Sequence, residues 1–210
     1  MEPIDIEIKS FDVGYLRTNC YVVSDGEICV IVDPGGGFDT VKQYIDEKHF
    51  IPCAVLLTHG HFDHILALDK WKKLGLKVYI HSDDAKMLRN EWNLAKEVGL
   101  HDLPVVKPDV ILFGGEKINF GKMTFEVIHT PGHTMGGCCF DLNERYLFSG
   151  DTILSCSYGR TDFYGGSADE IKKSINKIFS IKGDRIVYPG HGESTTLEWE
   201  RIVNPINALI

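Results

Sequence analysis

No apolar stretch in this sequence approaches the length of a membrane span, which needs about 20 consecutive apolar residues. The N-terminus, MEPIDIEIKSFDV, has no basic region followed by an apolar one. The first absence argues against a membrane partner and the second against a secretory signal, so a cytoplasmic protein is expected. There is also no cluster of Lys and Arg, and the net charge is −8. Such a chain is poorly equipped to displace counterions from a phosphate backbone, so no nucleic-acid partner is expected. The nearest approach to a basic patch, Lys70, Lys72 and Lys73, reads as the solvated face of a helix. The six cysteines include no C-x-x-C pair. Most lie in apolar, strand-like runs, where a free thiol behaves as a small hydrophobe, and a reducing compartment fits that usage. No repeat or low-complexity stretch interrupts the 210 residues, which are read as one domain spanning 1–210, long enough to bury a sizeable core.

What is present alternates between strand and helix patterns. Ile4–Ile8 alternates as a strand, and Tyr21–Val23 with Ile28–Val32 reads as a hairpin about Ser24, Asp25 and Gly26. After a break at Asp33–Gly37, Phe38–Lys48 has helical spacing, Cys53–Leu57 is a short apolar strand, and Ile65–Leu74 is an amphipathic helix. Val78–Ile80 reads as a strand. Ser82–Val98 reads as mostly helical, with Ser82 at its N-cap. Leu100–Pro108 reads as an irregular flap or crossover. Strands return at Lys117–Phe120, Met123–Ile128, Gly137–Asp141 and Arg145–Ser149. Ala168–Phe179 is an amphipathic helix, Arg185–Tyr188 a strand and Thr195–Val203 a last helix. The tryptophans at 71, 92 and 199 read as core or helix-packing residues. Strands followed by helices occur twice, an order that suits an α/β (α+β) architecture with two packed sheets and helices outside.

The chemistry is concentrated in HGHFDH, His59–His64, which places three imidazoles and a carboxylate within six residues directly after a strand. Neutral imidazoles and carboxylates are ligands for a borderline divalent metal, with zinc the first expectation and iron or manganese the alternatives. Three later residues share the same context: His133 in HTPGHT, Asp151 in FSGD and His191 in YPGHG each follow an apolar strand at a glycine-containing turn. Turns on rigid strand ends can hold ligands closely and face one crevice. His59, His61, Asp63, His64, His133, Asp151 and His191 are seven ligands. A single catalytic zinc takes three from the protein, whereas seven suit two metals sharing a carboxylate. The division that follows is His59, His61 and His133 on one metal and Asp63, His64 and His191 on the other, with Asp151 between them.

With TNCY at Thr18–Tyr21 and VDPGG at Val32–Gly36, these motifs make the chain resemble the metallo-β-lactamase-fold hydrolases, and within them the glyoxalase II-like group in its short, single-domain form. The resemblance implies a four-layer αββα sandwich of two mixed β-sheets flanked by helices, with a dinuclear site at one edge. It supports the same division of ligands. It also implies that Asp33, in the VDPG turn, hydrogen-bonds a ligand or its loop, the kind of partner that fixes an imidazole's tautomer.

The reaction expected is hydrolysis. Two divalent metals lower the pKa of a shared water, the resulting hydroxide attacks a carbonyl carbon, and a metal steadies the oxyanion. Asp63 and Asp151 are the candidate catalytic carboxylates. Gly159–Ile171, GRTDFYGGSADEI, resembles the segment after the bridging Asp in glyoxalase II-like proteins. That similarity implies a small-molecule thioester such as S-lactoylglutathione, with Arg160 and Tyr164 as candidate substrate-binding residues. Asp162 stands at about the place where the family uses a basic residue for a glutathione carboxylate, and Arg160 is either its substitute or the partner of an ion pair. The competing reading is a persulfide dioxygenase of the same fold, with one iron on His59, His133 and Asp151. A β-lactamase and a non-catalytic binding module are further alternatives.

Overall fold

The computed structural model describes residues 6–209. The first strand, β1 (Glu7–Val13), pairs antiparallel with β2 (Thr18–Ser24), and β2 pairs antiparallel with β3 (Ile28–Val32). β3 runs parallel to β4 (Ile51–Leu56), β4 to β5 (Lys77–His81) and β5 to β6 (Val110–Leu112). This six-stranded sheet keeps sequence order from edge to edge. The second sheet is built from β7 (Lys117–Phe120), β8 (Met123–His129), β9 (Cys138–Leu142) and β10 (Tyr146–Gly150), all antiparallel. β13 (Ile186–Pro189) joins β10 in parallel, and β14 (Thr195–Thr196) closes the edge. Between them in the chain, β11 (Ile153–Leu154) and β12 (Ser157–Tyr158) form a separate two-stranded ribbon. Both large sheets are mixed, as the four-layer expectation requires.

Burial explains the layering. Every residue of β2 is buried and four of the five in β3 are, the pattern of strands covered on both faces. One face of the first sheet, through Tyr21, Val23, Val30, Val32 and Leu56, packs on Phe125, Val127, Phe140 and Phe148 of the second. The opposite face of the first sheet is covered by Val41 and Ile45 of α1 (Phe38–Glu47) and by the fully buried Trp71 of α3 (Leu68–Lys73). On the outer face of the second sheet, α4 (Ala168–Phe179) buries Ile171, Ile175 and Ile178, and Leu197 of α5 (Leu197–Val203) joins the same cluster. Helix α4 begins at Ser167, whose side chain accepts from Glu170 N at 3.3 Å, so the motif S-x-x-E caps it.

Several expectations shift. The first strand runs over Glu7–Val13 rather than Ile4–Ile8, and residues 1–5 lie outside those described. The helix expected over Ile65–Leu74 is two, α2 (Phe62–Ile65) and α3, so the first helical turn already lies in the histidine loop. β6 is three residues long, too short to show a period. The largest departure is Ser82–Val98. It forms three short 3-10 turns, Ser82–Asp84, Met87–Arg89 and Lys96–Val98, with left-handed backbone at Asn90, Trp92 and Leu94. Here Asn93 Nδ2 donates to Met87 O and Asn90 Oδ1, while Asn93 Oδ1 accepts from Ala95 N; asparagine side chains that bond the backbone compete with a helix ladder. The cap preceding the first of these turns is His81, whose Nδ1 accepts from Asp83 N, rather than Ser82. Trp92 and Trp199 are about half-exposed, in contrast to Trp71.

Candidate metal centre

Four strand ends from the two sheets deliver the candidate ligands to one place. β4 leads into Thr58, His59 and His61, and the first turn of α2 carries Asp63 and His64. β8, β10 and β13 end just before His133, Asp151 and His191. The sheets are tied together beside these turns: Cys138 N donates to Thr58 O at 2.8 Å, Asn19 N donates to Gly190 O at 2.7 Å, and Thr18 forms an isolated bridge with His191. The TNCY segment thereby acquires a physical role. Thr18 Oγ1 donates to Asp63 Oδ2 (2.8 Å), Asn19 Nδ2 donates to Pro189 O and Gly192 O, and Tyr21 OH donates to Pro189 O (2.6 Å). Space is tight: a Cβ on Gly190 would come within 2.1 Å of Asp151 Oδ1 and 2.8 Å of His64 Cε1, so only glycine lets this turn approach so closely.

The ligand-type atoms fall into groups. Those of His59, His61 and His133 lie within 4.8 Å of one another, and so do those of Asp63, His64 and His191. Asp151 faces both groups, with its oxygens 3.4 Å from His133 Nε2, 3.6 Å from His64 Nε2 and 3.6 Å from His191 Nε2. All seven residues singled out in the sequence therefore converge.

The hydrogen bonds around the rings assign their tautomers. His64 Nδ1 donates to Asp33 Oδ2 (2.9 Å), His133 Nδ1 to Arg160 O (2.8 Å) and His191 Nδ1 to Leu16 O (3.1 Å). Thr58 Oγ1 gives its proton to Asp33 Oδ2 (2.6 Å) and so accepts from His59 Nδ1 (3.1 Å). Each of these four rings is thus anchored through Nδ1–H and turns the Nε2 lone pair inward. His61 is reversed, with Nδ1 only 2.9 Å from His133 Nε2. The Nε2 atoms of His59 and His64 and Oδ1 of Asp151, all facing the centre, are buried with no hydrogen-bond partner among the described residues. Buried polar atoms are rarely left unpaired, and imidazole lone pairs converging with carboxylates are the donor set of a divalent metal. The residues present fit a pair of such ions.

Electrostatics agree. Burial, reinforced by the neighbouring imidazoles, holds His59 well below the usual histidine range and His61 at about 3, so both stay neutral, as ligands must. Burial alone would lower His64 as well, but Asp63 and Asp33 outweigh it and raise the ring to about 10, so without a metal Nε2 also holds a proton, which a bound cation would displace to expose the lone pair. The carboxylates make this side of the centre a place that favours a cation. Asp33 sits with φ 51° and also accepts from Thr58 N at 2.8 Å, so its two oxygens fix His64 and the start of the histidine loop together.

Asp84 is the residue that sequence reasoning missed. Its buried carboxylate accepts from Gly60 N (3.1 Å), Thr134 Oγ1 (2.7 Å) and Gly136 N (2.7 Å). It joins the turn carrying His59 and His61 to the turn carrying His133. The signal that could have found it is the one used for the ligands, an acidic residue just past the end of an apolar strand, here β5.

Next to the metal-facing atoms is an open cavity of about 680 Å³. Beside the ligand residues, its lining includes Leu16, Leu94, Glu97, Val98, Leu154, Arg160 and Phe163. Part of the wall thus comes from the segment before Leu100, and residues 101–108, within the expected flap, are irregular chain that leads into β6. Arg160 faces the cavity, while its guanidinium is held by Asp162 at 2.8 and 2.6 Å. Tyr164 is not among the lining residues and stacks on Trp92, with ring centroids 4.4 Å apart.

The sequence profile described as the metallo-beta-lactamase superfamily matches residues 13–191. A curated relative, the hydroxyacylglutathione hydrolase GloC of Haemophilus influenzae, is 32% identical over 95% of this chain and 97% of its own length. Among solved structures, the B3 metallo-beta-lactamase BLEG-1 is 36% identical, with a TM-score of 0.88 over 95% of this chain and 98% of that one. TTHA1623, in a di-iron-bound form, is 34% identical, with a TM-score of 0.83 over 94% and 98%. With the two mixed sheets, the flanking helices and the histidine–aspartate clusters at their edge, these matches show that the chain belongs to the metallo-β-lactamase superfamily.

Proposed function

We propose that this protein is a two-metal hydrolase that cleaves small acyl-thiol esters, with S-lactoylglutathione, the ester of the glyoxalase II-like group, the first substrate to test. The observation that carries the two-metal reading is Asp151, whose carboxylate faces ring nitrogens of both ligand groups within 3.6 Å. In this reading His59, His61 and His133 hold one divalent ion, Asp63, His64 and His191 hold a second, and Asp151 is shared. Zinc is the first expectation, with iron or manganese as alternatives; a di-iron relative supports the count rather than the element. When bound, such a pair supplies a water ionised near neutral pH and polarises a carbonyl oxygen.

The protein's own contribution is positioning. Thr18 fixes one oxygen of Asp63, which lies 3.3 Å from His191 Nε2, so this carboxylate can orient the attacking water and accept its proton. Asp33 and the backbone carbonyls of Leu16 and Arg160 hold the rings, and preorganised ligands of this kind need little reorganisation during reaction. The cavity beside the ligands admits a small acyl-thiol ester. The thioester assignment itself rests on the GloC relative and on the similarity of Gly159–Ile171.

A single-iron dioxygenase would need only His59, His133 and Asp151. The complete second group, each member anchored by its own hydrogen bond, favours two metals instead. The test combines metal content by mass spectrometry with initial rates on S-lactoylglutathione, a persulfide and a chromogenic β-lactam, the last because the similar structure BLEG-1 is a B3 metallo-beta-lactamase. Two ions per chain and thioester hydrolysis abolished by a chelator or by Asp151→Ala are expected. Full activity after either treatment would sink the proposal.

A further inference from the structure

The cavity beside the ligands is apolar on most of its wall, and its fixed charges are few. Leu16, Leu94, Val98, Leu154 and Phe163 supply hydrocarbon. Apart from the ligand groups, its charged lining residues are Glu97 and Arg160. Arg160 is partly engaged: Nε and an Nη both donate to the Asp162 carboxylate, which balances its charge and leaves three N–H groups free, and the guanidinium lies 4.2 Å from the centre of the Phe163 ring. Glu97 makes no hydrogen bond or ion pair among the described residues. Away from the ligand groups, and so away from the charge of any bound metal, the unpaired charge on the wall is therefore that of Glu97.

A glutathione thioester brings two carboxylates and one ammonium on its carrier, a net negative charge, and among the described residues the one cation on this wall, Arg160, is already shared with Asp162. The family-type expectation of a basic residue is met here by Asp162, and the nearby Arg160 is paired with it. A carrier carboxylate must share Arg160 with Asp162 and lie on a wall that also carries Glu97. An alkyl or aromatic acyl group, by contrast, removes its own apolar surface and that of Leu94, Val98, Leu154 and Phe163 from water.

We infer that the cavity selects thioesters with an apolar acyl group on an uncharged thiol carrier and discriminates against carboxylate-bearing carriers such as glutathione. This rests on the thioesterase reading above, keeps its reaction and replaces its glutathione carrier with an uncharged one.

The experiment compares kcat/KM for acetyl and hexanoyl thioesters of N-acetylcysteamine with the same acyl groups on glutathione. Alongside, calorimetry follows binding of the non-hydrolysable thioethers S-hexyl-N-acetylcysteamine and S-hexylglutathione. Hydrocarbon burial predicts roughly fourfold per methylene until the cavity is filled, so the hexanoyl ester should exceed the acetyl ester by more than tenfold. The neutral carrier should exceed glutathione for a given acyl group, and the thioethers should rank the same way. Glu97→Gln should narrow the carrier ratio by roughly fivefold, the size of one screened charge interaction. Val98→Asp, at a half-exposed wall position, should erase the chain-length dependence of thioether binding. A glutathione ester as good as its neutral counterpart, or no dependence on acyl length, would overturn the inference. Failure to hydrolyse any thioester, with thioether binding still favouring long chains and neutral carriers, would refute the thioesterase reading while supporting the cavity assignment.

Discussion

Replacing Asp84 by Asn tests how the structure couples its two ligand-bearing turns. The carboxylate accepts three hydrogen bonds, one at Oδ1 from Gly136 N and two at Oδ2 from Gly60 N and Thr134 Oγ1. An amide keeps at most two of them. With its oxygen at the Oδ2 position, its NH₂ faces the Gly136 N–H, and two buried donors oppose each other. The reverse orientation loses two bonds. The less costly arrangement therefore forfeits one charge-assisted bond and leaves a buried donor unpaired, about 2 kcal/mol. That cost falls on the link between the turn of His59 and His61 and the turn of His133. The other ligand group is anchored elsewhere, His64 by Asp33, Asp63 by Thr18 and His191 by Leu16 O. Metal affinity at the first group should drop about tenfold to 100-fold, the usual effect of removing a partner that orients ligands, with the second group nearly unaffected. Competition titration against a chromophoric chelator reads the two steps separately, and thermal melting of the metal-free protein reads the structural cost. Equal weakening of both steps, or a lower Tm with both affinities intact, would show that Asp84 only stabilises the fold.

Asp33→Ala should weaken the other step by about tenfold to 100-fold in the same titration, because His64 loses the acceptor that sets its tautomer. Trp92→Ala removes the stack on Tyr164 that links the segment carrying Leu94 and Val98 to the loop carrying Arg160 and Phe163. An aromatic pair is worth about 1 kcal/mol, so steady-state kinetics should show KM rising several-fold with kcat little changed. Away from the site, Arg185→Leu strands the buried Asp141 carboxylate, now held by Arg185 Nε at 3.0 and 3.1 Å, and should cost about 3–5 kcal/mol at neutral pH in denaturant unfolding. Burial raises Asp141 above the ordinary carboxylate value, with Arg185 opposing the rise. An acid whose folded pKa is raised holds its proton more tightly when folded, so its contribution to stability is largest at low pH and is lost as pH rises through the folded pKa. Removing Arg185 widens that window, and the deficit of the variant should shrink on acidification. A deficit that stays constant from pH 7 to pH 4 would rule out this account.

The strands that pass beneath the site were legible because both of their faces are buried. Runs such as Ile28–Val32 and Cys53–Leu57 are continuous apolar segments bounded by Gly, Pro and Asp. Helices α1 and α4 were legible because each buries one stripe, Val41 with Ile45 and Ile171 with Ile175 and Ile178. Ser82–Val98 misled for the converse reason. Its apolar residues have nearly helical spacing, but the bonds of the Asn93 side chain and three left-handed residues decide the path, and such local competition does not appear in a hydrophobic pattern.

The same segment explains why the ligands of the centre could be read from sequence and its substrate could not. Few residue types bind a divalent metal, so His and Asp at four strand ends narrow the chemistry before any coordinates exist. Leu94, Val98, Leu154 and Phe163 belong to types that fill every protein core, and nothing in their spacing separates a cavity wall from a core position. Leu94 and Val98 reach the cavity because the chain leaves the helical path at Asn90, Trp92 and Leu94, and Arg160 is neutral in effect because Asp162 lies two residues on. Reaction type in this fold is thus written in rare residues at strand ends, and selectivity in common residues whose role is set by backbone conformation. Substitutions at Leu94, Glu97 and Val98 should therefore change which ester is taken while the metal content stays the same, whereas substitutions at Asp33 and Asp84 should change metal content in the first instance and rate only as its consequence.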